Sequence, residues 1–123
     1  MPTKGLEAAT LALQAARDLR ERSVALDALG RIQQTRDPDA ALRAYEESLR
    51  IRRDLLSKEP GNVERLRDVW VSRWRLAEAG GGRWADVVSA MEEARKRGFI
   101  NGAQDEGFYQ EALRRAAKES PTR

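Results

Sequence analysis

Apolar positions recur every three to four residues through 38–58. Leu42, Tyr45, Leu49 and Leu56 form one stripe, and Ala41, Ala44, Ser48, Ile51 and Leu55 form the stripe beside it. Arg43, Glu46, Glu47, Arg50 and Asp54 fall elsewhere around the turn. This spacing predicts an amphipathic helix whose broad apolar face must pack on other helices. Glu46 and Arg50 stand four apart, in the order that favours an ion pair. No segment alternates with period two, so no sheet is predicted.

Glycine and proline clusters divide the chain. Between Leu6 and Thr35 only Gly30 interrupts, and the first helix either runs through this stretch or breaks near Arg22–Ser23, with Ser23 as a cap. Asp37-Pro38-Asp39 then combines an N-cap, a first-turn proline and a second acid that suits the helix dipole. A helix is predicted from Pro38 to Lys58, stopped by Glu59-Pro60-Gly61. Asn62 caps the next, which ends before Gly80-Gly81-Gly82. Another begins near Arg83-Trp84 and ends at Gly98. Asn101 with Gln104 resembles a capping box for the last helix, running to about Glu119. The count is about five helices, with fraying expected at 1–4 and 120–123.

The chain also resembles itself at a shift of 47. Leu19-Arg20-Glu21 matches Leu66-Arg67-Asp68, Val24 matches Val71, and Leu29-Gly30 matches Leu76-Ala77. After one deletion, Ala44-Tyr45-Glu46-Glu47-Ser48 aligns with Ala90-Met91-Glu92-Glu93-Ala94. Fixed-period similarity between helical hairpins points to an α-solenoid.

These residues resemble the tetratricopeptide repeat (TPR) family. The first unit has Leu29-Gly30, then Ala41-Leu42, Tyr45 and Ser48, with Pro60 at its end. The second has Leu76-Ala77, Trp84, Val87-Val88, Met91 and Ala94. The long stretch from Tyr45 to Asn62 is similar to the long-helix bacterial variant and to the repeats of kinesin light chains. Gln33, Arg73 and Val87 depart from the family pattern, and no proline follows the fourth helix. The resemblance implies a single all-α domain built as an α-solenoid of two hairpins. The first repeat would cover about 6–59 and the second about 62–98. A capping helix at about 102–119 would close the last apolar edge with Phe108, Leu113 and Ala116–Ala117.

The resemblance further implies a concave groove lined by the first helix of each hairpin. Its residues would be Val24, Asp27, Arg31 and Gln34 from the first unit, and Val71, Trp74 and Glu78 from the second. Asp27 and Trp74 occupy two sites where the family's chaperone-tail clamp carries its polar ligands, so that specificity is not carried over. Trp70 reads as core and Trp84 as a structural aromatic, while Trp74 is divided between packing and ligand contact.

Composition narrows the chemistry. The 123 residues contain no histidine and no cysteine. The usual general base, the cysteine nucleophile, most zinc sites and any disulfide framework are therefore missing. Asp37 with Asp39 is explained by capping, and Glu46-Glu47 and Glu92-Glu93 point about 100° apart on a helix. Gly80–Gly82 lacks the Lys-Ser/Thr ending of a phosphate loop. No catalytic residue, metal site or cofactor is predicted, and no enzyme activity.

The net charge is +3, from 23 basic and 20 acidic residues. Basic clusters at Arg50/Arg52/Arg53, Arg95-Lys96-Arg97 and Arg114-Arg115 are interleaved with acids, so they read as solvated faces rather than a nucleic-acid surface. No apolar run is long enough for a signal peptide or a spanning helix. The expectation is a cytoplasmic, non-catalytic protein-binding module that takes a peptide or partner helix. A small regulator binding nucleic acid through its arginine faces, and a piece of a longer TPR scaffold, are the alternatives. Two repeats are fewer than a solenoid usually needs, so an apolar edge must be covered by the first helix, by the last, or by self-association.

Overall fold

The computed structural model describes residues 4–15, 18–100 and 102–119. It contains six helices: α1 (Lys4–Ala15), α2 (Leu19–Gln33), α3 (Pro38–Lys58), α4 (Val63–Glu78), α5 (Trp84–Lys96) and α6 (Gly102–Ala117). There is no strand among the described residues. The expected count of five is corrected, because the first segment is two helices. The second of these starts at Leu19, not at Ser23. Asp18 caps it, accepting from the Glu21 amide at 2.7 Å. Ser23 lies inside α2, fully buried, and its hydroxyl donates to the Arg20 carbonyl.

Local chemistry explains the other boundaries. Asp37 accepts from the Ala40 amide at 3.1 Å with Pro38 in the first turn, and Asn62 accepts from the Arg65 amide at 3.2 Å. Each satisfies one of the amides that a helix start leaves unpaired. α5 ends without a proline. Gly98 adopts φ +76°, and the amides of Gly98 and Phe99 turn back onto the carbonyls of Arg95 and Ala94. The expected Asn101 cap lies outside the described residues.

Each helix packs chiefly on its neighbours in the chain, α1 on α2 through to α5 on α6. Tyr45 and Met91, the two residues equated by the internal match, are both completely enclosed. The Tyr45 ring sits so close to Gly30 that a Cβ there would lie 2.5 Å from a ring carbon. Met91 sits in the largest apolar cluster, with Trp70, Ala77, Trp84, Val87, Ala94 and Ala112. Phe108 and Ala116 of α6 pack against that cluster. The fully buried α6 residue is Ala112, while Leu113 is half-buried and Ala117 is exposed.

The junction of α2, α3 and α4 is polar. Arg52 and Asp27 are each only 5% exposed and pair at 2.7 Å. The Arg52 guanidinium also donates to Ser23 Oγ, Ser72 Oγ and the Asp68 carbonyl. Ser48 Oγ donates to the Ser23 carbonyl. Arg20 of α2 holds Asp68 of α4 at the edge of this network. The expectation that Arg52 belongs to an exposed basic cluster is thus corrected. Its position on α3 faces two acid-bearing helices, and burial is tolerated because Nε and Nη1 of the guanidinium meet Ser23, Ser72, Asp68 and Asp27. On the same helix, Arg50 pairs with Glu47 rather than with Glu46.

Candidate interaction groove

The α4 face carrying Arg67, Val71, Trp74 and Glu78 repeats at helical spacing and meets the side of α6 that bears Phe108. Between them lies an open cleft of about 290 Å³. It is lined by Trp70, Val71, Trp74 and Phe108, with Arg67, Arg75 and Glu78 at its margin.

Three aromatic contacts fix its shape. Trp74 meets Trp84 edge-on at 4.8 Å between ring centres and Phe108 edge-on at 5.5 Å. Trp70 and Phe108 are tilted at 6.0 Å. Such geometries suit the aromatic quadrupoles and hold the rings in place. Arg67 stacks over Trp70 at 4.9 Å while its guanidinium pairs with Asp105 at 2.7 Å. Trp74 therefore packs against the elements that follow it, α5 and α6, and keeps one side open to the cleft.

The seven expected groove residues fall into three groups. Val71, Trp74 and Glu78 line the cleft together. Val24 and Arg31 are exposed on α2, and Gln34, its C-cap, is half-buried. Gln34 Oε1 accepts from the Tyr45 hydroxyl at 3.0 Å, so it holds the tyrosine from outside. Asp27 is withdrawn from the surface. It is consumed by Arg52 at 2.7 Å and faces Arg75 Nε at 3.4 Å. Its carboxylate lies beside Arg75 at the cleft margin instead of meeting solvent.

Sequence reasoning did not single out Arg67, Arg75 or Phe108 as groove residues. The signal for the arginines was present, since positions 67, 71, 74, 75 and 78 share one side of α4. Phe108 had no local signal, because α6 contributes it across a distance of about 35 residues in sequence.

No group of three acidic, histidine or cysteine side chains among the described residues is placed to hold a metal ion. No helix among them is long and apolar enough to cross a membrane. No protein-family model, curated protein or solved structure matches the chain.

Proposed function

We propose that this chain is a TPR-type stack of two helical hairpins, α2–α3 and α4–α5, preceded by α1 and closed by α6, and that it works as a cytoplasmic, non-catalytic module that binds a peptide or a partner helix. The single observation that carries the reading is the cleft of Trp70, Val71, Trp74 and Phe108 with charged residues only at its margin. An apolar floor with polar rims is the arrangement that anchors one large side chain of an extended ligand. Arg75 and Glu78 offer one charge of each sign to the ligand backbone and its neighbouring side chains. The neighbour-on-neighbour packing of the helices, with Tyr45 and Met91 enclosed at matched positions, agrees with a repeat architecture. In a longer array the same groove would continue onto the adjacent units.

The arginine clusters do not favour nucleic acid. Arg50 pairs with Glu47, Arg95 with Glu106, Arg97 with Glu93, and both Arg114 and Arg115 with Glu111, while Arg52 is buried. Counterion release requires cations that are free to meet phosphates.

A display library of random peptides selected on the immobilised chain tests the reading, followed by fluorescence titration of the selected sequences. Selected peptides should share an apolar or aromatic anchor. Trp74→Ala should weaken them at least about tenfold, the effect of losing an interface anchor. Glu78→Lys, at an exposed position, should change affinity without disturbing the fold, and Arg50→Glu should change nothing. Peptides indifferent to Trp74 and Glu78 would place binding elsewhere.

A further inference from the structure

Among the described residues, the four large apolar side chains most exposed include three of the α1–α2 hairpin: Leu11, Leu19 and Val24. Leu11 stands out at 64% exposure. On α1 it shares a face with Ala8 and Ala12, both exposed, while Ala9 on the other side is buried. Beside Leu11 runs a cleft of about 660 Å³ between α1 and α2. Leu6, Leu11 and Leu29 line it, with Thr10, Gln14 and Gln33 as neutral polar neighbours.

Its chemistry differs from that of the other clefts. Glu7 is the one charged residue in its lining. Three other clefts carry three or four charged residues each. Whatever covers the α1 surface must therefore be apolar and nearly uncharged, since a charged partner would be desolvated there without compensation.

We infer that this face is a self-association surface, and that a second copy of this chain covers it through its own α1. The element that offers the cleft also offers the matching occupant. Leu11 projects as a knob, Ala8 and Ala12 leave room for a knob, and α1 carries a single cation and a single anion, Lys4 and Glu7. In a twofold arrangement each Leu11 lies over the small residues and cleft of the other copy, and no large like charges face each other. Such self-complementarity is what an isologous interface requires. The surface lies apart from the Trp74 cleft, so it neither needs nor excludes the peptide-binding reading.

Sedimentation equilibrium of the whole chain tests the inference. A dimer should form at concentrations on the order of 10–100 µM and persist at high salt, because the contact is apolar. Leu11→Lys should raise its dissociation constant at least about tenfold at unchanged helicity. Val63→Lys, at a similarly exposed apolar site (49%) on α4, should leave the dimer intact. A strict monomer throughout this range, or a dimer that tolerates Leu11→Lys, would overturn the inference.

Discussion

Arg52 holds a full charge almost out of reach of water, and its four polar partners, Ser23, Asp27, Asp68 and Ser72, come from α2 and α4. Taking one partner away leaves the other charge buried. Arg52→Ala should therefore destabilise the fold by about 3–5 kcal/mol in urea unfolding, whereas the paired change Asp27→Leu with Arg52→Met should recover most of that loss. The single substitution being tolerated as well as the pair would show that the network is not holding α2, α3 and α4 in register. Tyr45 provides a second residue-level handle. Burial pushes its hydroxyl pKa above the ordinary tyrosine value, against the pull of nearby Arg75. The folded state thus holds this proton more tightly than the unfolded chain. Stability from this group is fully present below about pH 10 and is lost as pH rises through the folded value. Unfolding midpoints between pH 8 and 11 should fall less steeply in Tyr45→Phe than in the native chain. The burial of Tyr45 was legible from its place in the apolar stripe, and that of Arg52 was not. A charge goes inside only when acceptors 16 to 29 residues away converge on it, and no local pattern records that convergence.

At the scale of elements, α3, α4 and α5 were readable because capping and stopping residues sit next to them in sequence. Asp37, Asn62 and Pro60 act on the turns they adjoin. The break before α2 had the same kind of signal, Asp18 followed by Glu21, but no glycine or proline marks it. α5 shows a device that sequence cannot reveal. Arg83 gives it no side-chain cap. Instead the Glu119 carboxylate, from the end of α6, accepts from the amides of Trp84 and Ala85 at 2.6 and 3.0 Å. Arg115 lies over the Trp84 ring at 4.6 Å in the same corner. Charge and hydrogen bonding both favour a carboxylate at a helix start. Glu119→Ala should lower stability by about 1 kcal/mol and speed amide exchange at the start of α5 and the end of α6 together. A change confined to α6 would show that the carboxylate does not bridge the two helices.

For the molecule as a whole, two clefts differ in their chemistry. The one beside α1 is apolar and nearly neutral, and the one beside α4 is aromatic with charged margins. The resemblance to the repeat family pointed to the second through Val71, Trp74 and Glu78. It misjudged Asp27, because position in a repeat fixes which way a side chain starts and not which partner captures it. We propose that a polypeptide ligand sits in the α4–α6 cleft. The chain's three tryptophans give three indole N–H signals in a nitrogen–proton correlation spectrum, and two of them, Trp70 and Trp74, line that cleft. Titration with a selected peptide should move the Trp74 indole signal and the Val71 and Glu78 amides first, and leave the α3 amides from Arg43 to Asp54 in place. Shifts gathered on the outer face of α3, with Trp74 unmoved, would contradict the account.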